Sequence, residues 1–337
     1  MLWMLAAILI CGASVFTACS SNDDNPFQPV VQVGIDKTNF PDDNFWNYLL
    51  EQDYGKDGVL TDEEIRNITV MDVSEKEIKS LKGIEYFTAL RTLNCSDNEL
   101  TELDISGNTA LDTLDCRYNE LTALDVSKNT ALRSLDCSIN ELTELDLSKN
   151  TALTHLSCDD NKLTALDISK KTELTYLSCD FNELTALDVS KNTALTVLSC
   201  SGNSLTSLDI SKNTALELLR CSGNALTALD VSANTSLVYM ACDSNQLATL
   251  DLSKNMALNK LLCCNNQISG QNMDALIGSL RQNESEEFCE FYVMDGNEPN
   301  QNVCTKSQAA AAKAKGWLPQ YWDEDEKAWL EYEGSDE

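Results

Sequence analysis

A segment of 21 residues recurs through the middle of the chain and constrains the fold more than any other feature. The copy that begins at Leu90 reads LRTLNCSDNELTELDISGNTA, and a looser copy of 22 residues, 68–89, precedes it. Because each unit of such an array contacts mainly its neighbours, we expect one elongated solenoid. The later copies begin at Leu111, Leu132, Leu153, Leu174, Leu195, Leu216, Leu237 and, truncated, Leu258.

Numbering each repeat from its first leucine, the alternation LxxLxC indicates a strand in its first half. Side chains of a strand alternate between its two faces, so positions four and six should point inward and positions three, five and seven outward. The second half, LTxLDxS, alternates again and predicts a second strand segment on the opposite wall. A coil with two such segments leaves no room for a helix.

Cysteine occupies position six in nine consecutive repeats. Neighbouring parallel strands lie about 4.8 Å apart, whereas a disulfide needs Cβ atoms within about 4.5 Å. We therefore expect free, buried thiols that pack as small hydrophobes, rather than disulfides or metal ligands. Cys289 and Cys304 lie beyond the repeats, and their spacing leaves open whether they pair. The column comprises Cys95, Cys116, Cys137, Cys158, Cys179, Cys200, Cys221, Cys242 and Cys263.

Two asparagine columns occupy positions nine and nineteen, from Asn98 to Asn266 and from Asn108 to Asn255. An amide can both donate to and accept from the backbone groups that a turn buries, so we interpret both columns as structural ladders. Lys171 interrupts the second ladder. An aspartate column at position fifteen is followed by lysines three residues on, which favours a solvated structural role over calcium.

The pattern LxxLxCxxNxLTxLDxSxNTA resembles the leucine-rich repeat signature. Sustained over 68–269, it resembles the leucine-rich surface proteins of Bacteroidetes and, more distantly, the internalin-like proteins. The resemblance implies a β-rich, right-handed solenoid of parallel strands with little helix. It also implies a helical cap at 36–67 and an α/β cap at 270–337, since solenoid ends must be covered.

The N-terminus combines an apolar run, small residues and an acidic tract, which is typical of an export signal. Residues 16–19, Phe-Thr-Ala-Cys, resemble a bacterial lipobox, although no Lys or Arg precedes the apolar run. We predict a signal peptide at 1–18, lipidation of Cys19, and a membrane tether at 19–35. The expected location is the bacterial cell envelope, as an outer-membrane lipoprotein exposed at the cell surface; a simple cleaved signal is the alternative.

The segment DYGKDGVLTDEEI resembles an EF-hand calcium loop, with Gly58 at its sixth position. Gly55 departs from the pattern because it supplies no side-chain oxygen. A capping box between Thr61 and Glu64 could start a helix here without any metal. The predicted calcium ligands, which would form a weak site, are Asp53, Asp57, Val59, Thr61 and Glu64.

Position three varies where the core columns are monotonous, and its middle is apolar and aromatic. Tyr and apolar side chains with a charged rim are favoured in protein-binding surfaces. Tyr118 and Phe181 add aromatic groups at the strand ends. The predicted ligand-binding residues of position three are His155, Tyr176, Val197, Leu218 and Tyr239.

Catalysis needs groups that converge in a pocket, which a repeat surface rarely supplies. His155, the only histidine, can be grouped on paper with Ser157 and Asp136, but no oxyanion hole accompanies them. A zinc site at His155, Asp159 and Asp160 lacks a second strong ligand. We expect no enzymatic activity.

The formal charge of −30, from 24 Lys and Arg against 54 Asp and Glu, excludes a phosphate backbone as a favoured partner. The leading hypothesis is a surface binding protein for an extracellular protein or glycan. The alternative is a structural or accessory envelope lipoprotein of a nutrient-uptake system without its own ligand. C-terminal aromatic residues could form a sugar platform or, as we expect, close the core.

Overall fold

The structure is a computed structural model that describes residues 32–295, 302–323 and 325–336. The predicted signal peptide and the lipidated Cys19 lie outside the described residues, and both stay predictions. No helix in the described part of the chain combines the length and apolarity needed to cross a membrane.

A small helical unit covers the first end of the solenoid. It consists of β1 (Gln32–Gly34), α1 (Asp43–Glu51), β2 (Val59–Thr61) and α2 (Asp62–Asn67). Asp42 caps α1 by accepting hydrogen bonds from the backbone of Asn44 and Phe45. Strands β1 and β2 pair antiparallel. The buried rings of Phe40 and Phe45 pack edge to face, 5.7 Å apart, and join the core of the first coils.

Each repeat contributes one three-residue strand to a parallel sheet. Successive strands pair in register, so residues 21 apart stand side by side, as His155 does beside Tyr176. A short 3-10 turn, Ile84–Tyr86, follows the first strand. The strands are β3 (Val70–Asp72), β4 (Thr92–Asn94), β5 (Thr113–Asp115), β6 (Ser134–Asp136), β7 (His155–Ser157), β8 (Tyr176–Ser178), β9 (Val197–Ser199), β10 (Leu218–Arg220), β11 (Tyr239–Ala241) and β12 (Lys260–Leu262).

The second half of each coil is extended but is not a strand, so the predicted second strand segment is wrong. Its leucine and following aliphatic residue do point inward, as Leu103 and Ile105 show. Residues 90–269, all described, contain no helix, as expected. Position seven was expected to point outward, yet Ser96 and Ser138 are buried there. The strand ends at position five, and the turn that follows folds position seven back against the next coil.

The asparagines at position nine use their whole amide. Asn119 Nδ2 donates to the carbonyls of Cys116 in its own coil (3.1 Å) and Cys95 in the preceding coil (3.0 Å). Its Oδ1 accepts from the backbone N–H of Leu100 at 3.0 Å. The same three bonds recur as far as Asn266. Each coil is thereby fastened to the one before it.

The asparagines at position nineteen use only the donor half of the amide. Asn129 Nδ2 donates to the carbonyls of Ile105 (3.0 Å) and Asn108 (2.9 Å) in the preceding coil. Its Oδ1 has no hydrogen-bond partner among the described residues. The ladder is therefore structural, but it satisfies turn carbonyls only.

The cysteine column is free and buried throughout. Cys116 Sγ donates to the carbonyl of Asp136 in the next coil at 3.5 Å, and burial raises the pKa of this thiol well above its ordinary value. Cys289 and Cys304 are also free, so a bridge between them is absent. Arg281 Nη2 instead donates to the sulfur of Cys289 at 3.1 Å.

An α/β unit closes the far end of the solenoid. Its elements are α3 (Gln271–Ser279), β13 (Cys289–Asp295), α4 (Lys306–Ala314), β14 (Trp317–Asp323) and β15 (Ala328–Glu331). Strands β13 and β14 continue the parallel sheet, and β15 returns antiparallel to β14. Thr305 and Gln308 form a capping box at the start of α4. Trp317 is fully buried and closes the core.

Lys171 is 1% exposed, although it occupies a ladder position that elsewhere holds asparagine. Its backbone carbonyl still accepts from Asn192 Nδ2 at 2.8 Å. The described residues show no hydrogen bond from its side chain to the preceding coil. There, the bond from Leu153 N to the carbonyl of Asn150 is 3.5 Å long. Burial lowers the pKa of the Lys171 ammonium, which indicates a cost of desolvation.

We expect Lys171→Asn to stabilise the protein by roughly 1–3 kcal/mol, because it restores two buried hydrogen bonds and removes a desolvated ammonium. Urea unfolding followed by circular dichroism measures the change. Lys170→Asn, at the exposed neighbouring position, is the control and should leave the midpoint almost unchanged. Equal midpoints for Lys171→Asn and the wild type would contradict the role of the ladder.

Candidate functional site

The predicted ligand-binding residues of position three form one continuous row on the strand face. We call this row, His155, Tyr176, Val197, Leu218 and Tyr239, the ligand stripe. Its members are paired in register on five adjacent strands, β7 to β11. His155 and Tyr176 are exposed, and the other three are partly exposed. The solenoid thus brings together side chains that are separated by up to 84 residues in sequence.

Aromatic rings lie at both ends of the stripe, and cationic side chains flank its last member. The rings of His155 and Tyr176 stack with centroids 6.1 Å apart and an interplanar angle of 18°. Tyr239 lies between the guanidinium of Arg220, at 5.3 Å, and the ammonium of Lys260, at 5.9 Å. Lys260 Nζ is also 5.0 Å from the ring of Tyr292. Lys260 therefore connects the end of the ligand stripe to Tyr292 of the C-terminal cap.

Tyr118 and Phe181 lie at the corner that follows the strand rather than at the strand end. Both occupy position eight with a left-handed backbone, φ 52° in each case. Gly202 and Gly223 occupy the same position in later coils, where φ is also positive. A non-glycine residue costs about 1 kcal/mol or more in this conformation. Since the side chains of Tyr118 and Phe181 are 48% and 60% exposed, core packing does not repay that cost.

Two half-buried carboxylates lie between the stripe and this corner. Asp159 accepts hydrogen bonds from Ser178 Oγ at 2.7 Å and from the backbone N–H of Asp180 at 2.7 Å. Asp180 in turn accepts from Ser199 Oγ at 2.7 Å and from the backbone N–H of Ser201 at 2.5 Å. The two carboxylates are consecutive rungs of one polar network across three coils.

Burial raises the pKa of both carboxyls. For Asp159, desolvation outweighs the hydrogen bond from Ser178, and the neighbouring charge of Asp180 adds to the increase. For Asp180, desolvation outweighs the hydrogen bond from Ser199 and the field of Arg220. Burial also raises the pKa of Asp115 and Asp243, so the direction of the shift is shared by several carboxyls near the strand face.

Sequence reasoning considered Asp159 in the zinc grouping and did not pair it with Asp180, because position seven was expected to face solvent. A signal was nevertheless present. In the fourth and fifth repeats, aspartate at position seven is followed by serine at position five of the next coil, Ser178 and Ser199. Those serines are the hydroxyl donors of the network.

The grouping of Ser157, His155 and Asp136 is not assembled as a catalytic triad. His155 Nδ1 is 3.0 Å from Thr154 Oγ1. Ser157 Oγ is 3.0 Å from Ser138 Oγ and donates to Asp159. Asp136 lies 3.4 Å from Arg117 Nη1. Each side chain is thus engaged by a group other than the partner that a triad would require.

The predicted calcium loop does not bring its expected side-chain ligands together. Gly58 has φ 79°, and α2 begins three residues after Val59. However, Asp53 pairs with Lys56 Nζ at 2.6 Å, which lowers the pKa of Asp53. Glu64 accepts from the backbone and hydroxyl of Thr61, both at 2.8 Å. In the described part of the chain, no three His, Cys, Asp or Glu side chains come together as metal ligands.

Asp57, another predicted ligand, is also engaged within the loop, where its Oδ1 accepts a hydrogen bond from the backbone N–H of Val59 at 3.1 Å. Gly55 cannot be replaced by an aspartate, because a Cβ there would lie 1.9 Å from the carbonyl oxygen of Leu49. The loop therefore lacks room for the missing third ligand. Calcium binding stays a prediction.

Comparisons with known proteins concern the fold of the solenoid. No protein-family profile matches the chain. A 71-residue segment is 38% identical to internalin J of Listeria monocytogenes serotype 4b, strain F2365, and covers 21% of this chain and 8% of that protein. The solved functional domain of InlJ from Listeria monocytogenes, described as including a cysteine ladder, aligns over 86% of this chain and 80% of its own, with 28% identity and a TM-score of 0.60.

The fold is an internalin-like leucine-rich repeat. The predicted β-rich solenoid is therefore confirmed, and its cysteine column parallels the ladder described for InlJ. The internalin InlF of Listeria monocytogenes aligns over 81% of this chain and 92% of its own, with a TM-score of 0.51 and 23% identity, which supports the fold alone. Because the curated match spans a small part of internalin J, the activity of that whole protein is not transferred.

We expect the double substitution Asp159→Asn and Asp180→Asn to raise the melting temperature at pH 7. A carboxyl whose folded pKa is raised contributes stability below its unfolded pKa and loses it as pH rises through the folded pKa. The gain over the wild type should therefore shrink as pH falls from 8 toward 4. Differential scanning calorimetry across this range measures it.

Asp167→Asn with Asp188→Asn is the matched control, with the same charge change in the same two coils. Hydrogen bonds from Ser169 and Ser190 lower the pKa of these exposed carboxyls, so the control should lower the melting temperature at pH 7. A destabilised Asp159 and Asp180 variant would show that the pair serves the fold.

Proposed function

We propose that the protein is a non-enzymatic cell-surface binding protein whose strand face takes an extracellular protein ligand. The observation that carries this proposal is the ligand stripe, a row of aromatic and apolar side chains in register on neighbouring strands of an otherwise repetitive scaffold. Tyr and other large side chains dominate the energy of protein interfaces. A row of large side chains on the open face of a parallel sheet suits the surface of a protein better than a small molecule, which usually binds in a pocket.

The corner residues Tyr118 and Phe181 support the same proposal. Both are exposed aromatic side chains in a backbone conformation that glycine would occupy more cheaply. Since Asp97, Ile139 and Asp160 adopt the same conformation at position eight, the support comes from the exposed aromatic rings and not from the backbone. A glycan ligand would use the same exposed rings, and the binding screen below includes it.

Surface display is part of the proposal. An export signal at 1–18 and a lipid on Cys19 would hold the solenoid at the outer membrane. The tether predicted at 19–35 would end before residue 32, because Gln32–Gly34 form β1 of the cap and Ile35 is buried. Fold similarity to Listeria internalins is compatible with display at a cell surface. The competing role, a structural envelope lipoprotein without its own ligand, predicts no specific partner for the stripe.

The triple substitution Tyr176→Ala, Leu218→Ala and Tyr239→Ala should abolish ligand binding, because it removes the apolar centre of the strand face. The protein from Ser20 onward is tested on arrays of extracellular matrix proteins and glycans. Since these side chains project outward, the melting temperature should change little. The control, Thr185→Ala, Thr227→Ala and Thr249→Ala, alters exposed positions in the same coils on the opposite wall. Unchanged binding of the first variant would refute the proposal.

We also propose that calcium stiffens the N-terminal cap. With the millimolar affinity usual in extracellular modules, about 10 mM calcium should stabilise the protein by about 1.4 kcal/mol. Asp53→Asn should remove this effect in thermal melts, and Asp62→Asn, which changes a non-ligand carboxylate paired with Arg66, should retain it. Equal calcium responses of both variants would assign the effect to general charge screening.

A further inference from the structure

Asp159 and Asp180 are positioned on neighbouring coils without a basic partner. Hydroxyl and backbone donors orient both, as described above, yet neither has a Lys, Arg or His nitrogen within ion-pair distance among the described residues. Arg220 influences Asp180 only through space, because its guanidinium is placed over Tyr239. The carboxylates are therefore held rigidly and left uncompensated.

The preceding coils show the contrast. Asp115 and Asp136 also lie on neighbouring coils, although at position five of strands β5 and β6 rather than at position seven, and Arg117 lies 3.6 Å from the first and 3.4 Å from the second. The chain therefore supplies its own cation to one acidic pair and supplies none to the next. Asp159 and Asp180 therefore differ from Asp115 and Asp136 in that no cation of the described chain lies within ion-pair distance of them.

Each carboxylate keeps room for a further donor. A carboxylate has about four acceptor positions. In Asp180, Oδ1 accepts from Ser199 and from the backbone of Ser201, whereas Oδ2 accepts from the same Ser199 hydroxyl only. Oδ2 of Asp159 accepts weakly from Ser157 at 3.2 Å and shares the hydroxyl of Ser178. Unused positions on two adjacent coils suit N–H donors of a guanidinium or ammonium.

The surroundings favour an organic cation. Tyr176 precedes this network on its strand, and Phe181 follows it at the corner, both exposed. Aromatic faces attract guanidinium and ammonium groups and cover the apolar stems of Arg and Lys. The net charge of −30 would also steer a basic partner toward this surface.

We propose that the ligand presents an arginine- or lysine-bearing segment to the strand face, with its cationic side chains bound by Asp159 and Asp180. This inference rests on the proposed function and specifies the chemistry of the partner. The stripe supplies apolar contact, and the two carboxylates supply charge recognition at its edge. The uncompensated pair destabilises the free protein, and a bound cation relieves that cost.

Binding of fluorescein-labelled octa-arginine to the chain from Ser20 onward tests the inference by fluorescence anisotropy at about 0.15 M salt, where long-range attraction is screened. Octa-citrulline, which has nearly the same shape without the charge, is the neutral probe. The variants are Asp159→Asn with Asp180→Asn, and the matched control Asp167→Asn with Asp188→Asn on the opposite wall.

The first variant should weaken octa-arginine binding roughly tenfold or more, because two charge-assisted contacts are lost. The control, with the same net charge, should change it less than about twofold. Equal losses in both variants would reduce the effect to the overall field of the protein and overturn the inference. So would unchanged affinity in the first variant, or equal binding of octa-citrulline.

The two proposals fail separately. If the array ligand is lost with the stripe variant but octa-arginine ignores the Asp159 and Asp180 substitutions, the strand face binds a partner that is not recognised by charge. If the stripe variant keeps its array ligands while octa-arginine depends on the carboxylates, the cation site stands and the stripe is not the ligand surface.

Discussion

The structure depends on one recurrent constraint: every coil buries turn backbone against its neighbours, and those polar groups must find partners. Asn119 and its equivalents satisfy both kinds of group with one amide, and Asn129 and its equivalents satisfy carbonyls alone. Buried backbone groups without partners are costly, so the ladders fix both the register and the spacing of the coils. With the coils in this register, the strands pair side by side and the cysteines of successive coils form one column.

This division of labour explains why the outward row can vary. The leucine and cysteine columns form the core, and the asparagine columns bind the turns. Each coil makes these contacts mainly with its two neighbours. Position three faces away from all of these contacts. His155, Tyr176 and Leu218 can therefore differ from coil to coil without disturbing the scaffold, and their variation carries information about what the surface meets.

Besides Lys171, features that oppose stability lie on the strand face and at the corner that follows it. Phe181 accepts a left-handed backbone, and Asp159 and Asp180 accept burial without a countercharge. The aspartates of position fifteen, such as Asp167, are instead exposed and satisfied by local backbone N–H groups, which lowers their pKa. Carboxylates of one solenoid thus differ, since hydrogen bonds lower the pKa of those at position fifteen and burial raises the pKa of Asp159 and Asp180. That contrast, more than the acidic composition, points to the strand face.

By itself, the sequence determined the solenoid, its inward columns, the free thiols of the repeats and the helical and α/β caps, because a fixed period of apolar and amide residues admits one stacking. It also identified the stripe, since variation among constant columns is visible without coordinates. Tertiary structure decided where position seven lies: the turn after position five folds Asp159 against Ser178 of the next coil, a contact 19 residues away. It also decided that the second half of each coil is no strand, and that Asp53 meets Lys56. These outcomes depend on turn geometry and on which neighbour a charged side chain reaches, and a repeat pattern does not encode either.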